Sequence, residues 1–411
     1  MMKFTARDRL KLFAGAGASL LASCGGGGSA APASAFQATP PPPLPAPPMP
    51  DLPEPPATML SSVFEDNFTV GVALSSPQTD ELNSLSRTIA LDHFNGVTPE
   101  FEMQPSFLSP QEGVFNFDRA DRLVDFAMEN NMPVRGHSLL WHEQTPDYMV
   151  VGTRDEIRQR LDTYIGTVVE HFKDRISIWD VVNEATSPDI FNGENSVGPD
   201  RINSVWYQAV GNADYIDWAF IAARAADSNA QLFLNDFETE NPIKLGFFME
   251  IIQRLMDRGV PINGAGHQTH LRLQNPDPNV TPQTIISSVL SSIDAVQTAF
   301  PGLTAHVTEF DINVYTDPGS CFQAVPTGCQ ADVGPNPPQE LLQQQAEIYR
   351  GVFQGLVQRP FVEYVTMWGV NDGESSANRI PIERFNHPLL FDRAGQAKSA
   401  FNAVVDPNFV I

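Results

Sequence analysis

Two glutamates sit where apolar runs stop. The run Ile176-Ser-Ile-Trp-Asp-Val-Val-Asn-Glu184 ends in Asn183 and Glu184, and Ala305-His-Val-Thr-Glu-Phe-Asp311 ends in Glu309 and Asp311. Apolar runs of this length read as strands buried on both faces, the pattern of a parallel sheet. Parallel strands deliver their last residues to one edge of the sheet, so two such glutamates can face each other across one cleft. Paired carboxyl groups suit glycoside hydrolysis: one protonates the leaving oxygen while the other attacks the sugar or activates water. A strand-end acid can equally cap a neighbouring helix, so neither glutamate decides the matter alone.

The elements that would position them alternate along the chain. Strands are expected over 68–74, 93–98, 133–140, 176–182, 231–234, 264–269, 305–310 and 362–370. Helical periodicity fills 118–130, 154–173, 213–227, 242–258, 281–300 and 339–359. Eight strands separated by helices predict an α/β fold, a (β/α)8 barrel whose carboxyl-end face carries the site. Polar groups gather after these strands: Glu100 and Glu102; His137, Trp141, His142 and Gln144; Asn183 and Glu184; Asn235 and Asp236; Gln268 and His270; Glu309 and Asp311; Trp368 and Asp372. Helix capping alone does not require so many convergent groups.

The charge balance narrows the ligand. With 49 acidic against 25 basic residues the chain carries a formal charge of −24. That field repels phosphate backbones, so no nucleic-acid partner is expected, and a neutral glycan fits better than an anionic one. The three cysteines, Cys24, Cys321 and Cys329, show no metal-ligand spacing, and neither a metal nor a cofactor is called for.

Residues 1–23 place Lys3, Arg7, Arg9 and Lys11 before a short apolar segment ending in Leu21-Ala-Ser-Cys24. This layout is that of an export signal, and its last four residues resemble the lipobox of bacterial lipoproteins. The resemblance implies cleavage before Cys24, lipidation of Cys24, and an exported protein held to a bacterial membrane by lipid alone; a plain secretory signal is the alternative. Residues 24–58 are rich in Gly, Ala and Pro and cannot build a core, so they read as a tether, with the folded domain over 59–411. A monomer is expected.

The stretches Gly136-His-Ser-Leu-Leu-Trp-His-Glu-Gln144, Trp179-Asp-Val-Val-Asn-Glu184, Asn235-Asp236, Gly266-His-Gln-Thr-His270, Thr308-Glu-Phe-Asp311 and Trp368-Gly369 follow one another as in glycoside hydrolase family 10. The chain resembles this family of retaining endo-β-1,4-xylanases over about residues 64–405. The resemblance implies that Glu184 is the acid/base and Glu309 the nucleophile. His270 and Gln268 would supply donors to Glu309, and Asp311 would hold His270 in one tautomer. Asn183 would bond the 2-hydroxyl of the sugar at the cleavage point, and Glu100, His137, Trp141, Gln144 and Trp368 would contact the glycone sugars. His142 and Asp236 fit structural support as well as substrate contact.

Two departures stand out. The resemblance implies Asn and Lys where Phe101 and Gln104 stand, and Trp where Ser376 stands, so the glycone subsites are expected to be altered. Alternatives to a xylanase are therefore a retaining hydrolase of another β-glycoside or of short or decorated xylo-oligosaccharides, and a glycan-binding lipoprotein without turnover. Cys321 and Cys329 lie in the long segment after the seventh strand, where export favours a disulfide.

Overall fold

The computed structural model describes residues 58–411 except 83, 188–197 and 276. The expected signal and tether lie outside the described residues, Thr58 apart. Nine strands form one parallel system: β1 Thr69–Leu74, β2 Gly96–Pro99, β3 Arg135–Trp141, β4 Ile178–Asn183, β5 Gln231–Asp236, β6 Gly264–His267, β7 His270–Arg272, β8 Thr304–Asn313 and β9 Val362–Met367. Their order is β2-β1-β9-β8-β6-β5-β4-β3, and β7 pairs β8. A parallel bridge between Val97 and Val134 joins the two ends and closes the barrel. β6 and β7 are one barrel strand interrupted at Thr269, whose φ of 63° is left-handed. The result is the eight-stranded (β/α)8 barrel.

Eight helices cross outside it, one after each barrel strand: Leu85–His93, Asp118–Glu129, Arg154–Phe172, Asp214–Ala226, Pro242–Asp257, Pro282–Ala299, Gln339–Val357 and Ser399–Val405. Their starts follow local chemistry. The Thr153 side chain accepts from Glu156 N–H while Glu156 reaches back to Thr153, and Asn241 and Thr281 cap helices that begin with proline. In Arg154–Phe172 the residues Ile157, Leu161, Tyr164, Ile165, Val168 and Phe172 are buried, the stripe a helix turns towards a sheet.

The second strand differs from its expected span. Residues 93–98 were expected to be extended, but Ser84 caps a helix that runs through His93, and β2 starts only at Gly96. Ser86, Ile89, Ala90 and His93 share the buried face of that helix, and His93 packs against Phe391 and Phe401 with ring centroids 4.9 and 5.1 Å away. Burial lowers the His93 pKa to about 4, so it serves here as a neutral aromatic.

Two fastenings hold the loops above the carboxyl-end face. Cys321 and Cys329 are joined in a disulfide with Cα atoms 5.1 Å apart, and closing so short a loop contributes about 2–3 kcal/mol in the chain-entropy account. The buried pair Arg384–Asp317 ties the same segment to the chain after β9, with Arg384 over the Tyr315 ring at 3.5 Å. Under the site, Asp236 Oδ1 lies 2.9 Å from Lys244 Nζ with neither side chain exposed. Asp236 Oδ2 accepts from the Thr186 N–H at 2.8 Å and its hydroxyl at 2.6 Å, which fixes the chain just past Glu184. Removing one member strands a buried charge, so Lys244→Met should lower the unfolding free energy by about 3–5 kcal/mol in chemical denaturation. An unchanged midpoint and slope would mean that Asp236 needs no counter-charge.

Candidate active site

The barrel brings Glu184 and Glu309 to one face and joins them through carboxamides. Asn235 Nδ2 donates to Glu309 Oε1 at 2.8 Å and to Asn183 Oδ1 at 2.9 Å. Gln268 Nε2 donates to the same Asn183 oxygen at 3.0 Å and reaches Glu184 Oε1 at 3.4 Å. Asn183 therefore accepts twice and turns its NH2 group to the cleft. Thr308 fixes the Asn235 amide by donating to Oδ1 at 2.7 Å. A Cβ at residue 266 would stand 2.4 Å from that oxygen, so Gly266 makes the room that Asn235 occupies.

The expected donors to Glu309 are corrected in one respect. Gln268 serves Asn183 and Glu184, and the second donor to Glu309 is Asn235, on the intervening strand. His270 does reach Glu309: Nε2 lies 3.1 Å from Oε2, while Nδ1 lies 3.0 Å from Asp311 Oδ1. Burial alone would lower the His270 pKa, but Asp311 and Glu309 outweigh it and raise it to about 10. His270 is thus an imidazolium donating from both nitrogens, and Asp311 stabilises a cation rather than choosing a tautomer.

Glu184 has the opposite surroundings. It follows β4 with a left-handed φ of 58°, held by its N–H on Asn235 O at 2.8 Å and by Arg201 Nε on its carbonyl at 2.8 Å. Burial pushes its pKa up to about 7 against the pull of Arg201, with Glu143 and Asp236 adding to the rise. Its other oxygen lies 4.0 Å from His142 Nδ1.

The remaining expected residues fall in two groups. His137 is buried and bonds Asp180 at 2.9 Å, with Glu309 Oε1 at 3.9 Å. Burial would lower its pKa, but Glu309 and Asp180 raise it above the ordinary value. Trp368 stands edge-on to both His137 and His270, with centroids 5.4 and 6.1 Å away. Trp141 is half-buried beside Glu184, and Gln144 accepts from Ser106 at 2.8 Å. Glu102 is structural, because its carboxylate accepts the Ser76 N–H at 2.7 Å in the interior. Asp372 is structural too, meeting Lys398 Nζ at 3.0 Å and the Leu389 N–H at 2.8 Å.

Glu100, Phe101, Gln104 and Ser376 belong to the subsites expected to be altered. Burial raises the Glu100 pKa to about 8, reinforced by Glu102 and Glu374 and opposed by Arg379. Gln104 is 4% exposed and donates from Nε2 to the Glu100 carbonyl at 3.0 Å, which leaves Oε1 buried without a hydrogen bond. A carbonyl can only accept, so this contact fixes the amide orientation. Phe101 and Ser376 are half-buried. Sequence reasoning missed Arg135 and Arg201. Arg135 is a fully buried cation whose Nε bonds Asp180 at 2.9 Å and so supports His137 from below. The only signal for Arg135 was a basic residue opening an apolar strand, and Arg201, in a loop, had none. Among the described residues no cluster of His, Cys, Asp and Glu has metal-holding geometry.

Carboxyl groups kept this way, one ready to give a proton and the other bracketed by donors, define a glycosidase built on the (β/α)8 barrel. The chain belongs to glycosyl hydrolase family 10, whose model matches residues 59–407. It is 36% identical over 352 residues to a β-1,4-xylanase of Dictyoglomus thermophilum, covering 84% of this chain and 90% of that protein. It is 37% identical over 369 residues to a thermostable celloxylanase of Thermoclostridium stercorarium, covering 85% and 87%. The crystal structure of xylanase B from Clostridium stercorarium F9 superposes with a TM-score of 0.73 at 36% identity, covering 85% of this chain and 99% of that one.

The bridging geometry makes His270 a measurable reporter. In 15N NMR of histidine-labelled protein both its ring nitrogens should stay protonated to about pH 10. Glu309→Gln should lower that value, since one of the two raising charges is gone. A neutral His270 at pH 7 would refute the charged bridge.

Proposed function

We propose that this protein hydrolyses internal β-1,4-xylosidic bonds of xylan with retention, by double displacement. The observation that carries the reading is the chain Glu309–Asn235–Asn183–Gln268–Glu184, which links two carboxyl groups of unlike surroundings. Glu309, bracketed by the Asn235 amide and the His270 cation, attacks the anomeric carbon as a carboxylate. Glu184, lifted to about 7 by burial, gives its proton to the departing oxygen. Water then enters, Glu184 takes a proton from it, and the glycosyl–Glu309 ester opens with a second inversion. The His270 cation also helps the Glu309 carboxylate depart, because it stabilises the charge that returns. The Asn183 NH2 group, oriented by its two donors, is placed for the sugar 2-hydroxyl. The xylanase relatives support xylan as the substrate class.

A second reading keeps the mechanism and changes the preferred glycan to short or decorated xylo-oligosaccharides. It is favoured by the subsite of Glu100, Phe101 and Gln104, where a buried amide bonded to backbone stands in place of the lysine that the resemblance implies. The lipobox-like Leu21–Cys24 supports an exported enzyme anchored through Cys24. A wholly soluble wild-type protein with an unmodified N-terminus would end the anchoring proposal.

The roles separate in kinetics. Glu309→Ala should abolish turnover. Glu184→Ala should lose about 10²–10⁴-fold on polysaccharide yet still form the glycosyl-enzyme from aryl glycosides whose leaving groups need no proton. In the wild type, kcat/KM should fall as pH rises through about 7, since the required form of Glu184 is the protonated one. Equal losses on both substrate types, with that basic limb unmoved, would overturn the assignment.

A further inference from the structure

In so acidic a chain, almost every described cation is matched. Among the described arginines and lysines, the Arg379 side chain alone makes no ion pair, hydrogen bond or ring contact, and the charge it acts on is the Glu100 carboxyl. Its side chain is exposed, yet its backbone is not loose. Arg379 closes the short turn Ser376–Asn378, its N–H on Ser376 O at 3.0 Å. Asn378 fixes that turn from several sides, donating to Asp372 O at 2.7 Å and Ser375 O at 3.0 Å and accepting the Asn386 N–H at 2.9 Å. A free guanidinium is therefore displayed from a rigid platform.

That platform flanks the cleft. The turn lies in the loop that leaves the carboxyl end of β9, on the site face of the barrel, and Arg379 acts on the carboxyl of Glu100, which the family resemblance puts against the glycone sugars. The neighbouring carboxylates do not neutralise it. Glu374 accepts from Gln78 at 2.5 Å and from the Ser86 hydroxyl, and neither Glu374 nor Glu100 pairs with the guanidinium. One turn earlier, the half-buried Ser376 has a hydroxyl that makes no hydrogen bond to any described residue.

We propose that Arg379, with the Ser376 hydroxyl one turn away, binds the carboxylate of a uronic acid branch on the sugar chain at the glycone side of the cleft. The planar guanidinium meets a carboxylate with two parallel N–H···O bonds, and the serine hydroxyl donates to a further oxygen of the branch. The proposal rests on the reading of the substrate as a β-1,4-linked xylan chain. It assigns the local basic site without which an acidic protein would repel such a branch.

Three matched xylo-oligosaccharides test it: plain, carrying one glucuronic acid branch, and carrying that branch with its carboxyl group reduced to the alcohol. The wild type should favour the acid over the reduced branch about fivefold in kcat/KM at low salt, the size of an exposed ion pair, and less at high salt. Arg379→Ala should bring that ratio to about one, and Arg379→Lys should keep part of it. A wild-type ratio of one or less, or an undiminished ratio in Arg379→Ala, overturns the proposal. Binding of the two branched sugars to the Glu309→Ala protein gives the ratio without turnover. Failure to cut the plain oligosaccharide then counts against the substrate reading alone.

Discussion

A carboxylate that is 4% exposed must have its donors fixed before the substrate arrives, and Glu309 sets this requirement for the whole upper barrel. Burying such an ion costs several kcal/mol unless neighbours replace the water it loses. Asn235 and His270 do so from the two strands before β8, and each is secured in turn, Asn235 by Thr308 and Asn183, His270 by Asp311. Below them Asp180 holds His137 and is itself matched by Arg135, so the barrel interior is ionic at its centre and apolar around it. These contacts join β3, β4, β5, β7 and β8. A change in the tilt or register of any one strand would disturb the donors of Glu309.

The unlike surroundings of the two glutamates follow from where each lies on its strand. Glu309 is inside β8, which continues to Asn313, so donors from β5 and β7, on one side of that strand, reach its two oxygens. Glu184 lies one residue beyond β4, where the ladder has ended and the chain turns left-handed. A non-glycine residue in that region costs of order 1–3 kcal/mol, which the Asn235 carbonyl, Arg201 and the Asp236–Thr186 bonds offset. There the side chain meets the Gln268 amide at 3.4 Å and the Trp141 indole, and burial outweighs the attraction of Arg201. Strand geometry thus sorts a proton donor from a carboxylate before any substrate contact is made.

The barrel and the positions of both glutamates were legible because buried parallel strands are written as short apolar runs, and their ends are marked where polarity returns. The main helix spans were legible for a similar reason, with caps such as Thr153 and Asn241 written into the chain. The second strand was misplaced because His93 looks like a strand residue until its partners Phe391 and Phe401 are known, some 300 positions away. The break in the sixth barrel strand at Thr269 left no sign, since a threonine gives no warning of positive φ. Site chemistry was legible as residue types and much less as pairings. Which amide meets Glu309, and whether His270 is neutral or charged, depend on distances of a few tenths of an ångström across three strands. Arg201 and Arg379 lay in loops, where no periodicity marks a functional side chain.

The glycone subsite shows why a replaced residue must be read with its neighbours. Taken alone, Gln104 is a weaker donor than the lysine that the resemblance implies. In place, its amide nitrogen bonds the Glu100 carbonyl, and what remains towards the interior is an unpaired acceptor. With no cation buried there, burial lifts Glu100 to about 8, helped by Glu102 and Glu374, and the exposed Arg379 cannot hold it down. Near neutral pH the Glu100 carboxyl is therefore mostly an acid, able to donate as well as accept. An acid of raised pKa beside an amide oxygen is what the chain itself places there. The cation that acts on Glu100 is Arg379, an exposed residue of the loop after β9 that pairs with neither Glu100 nor Glu374.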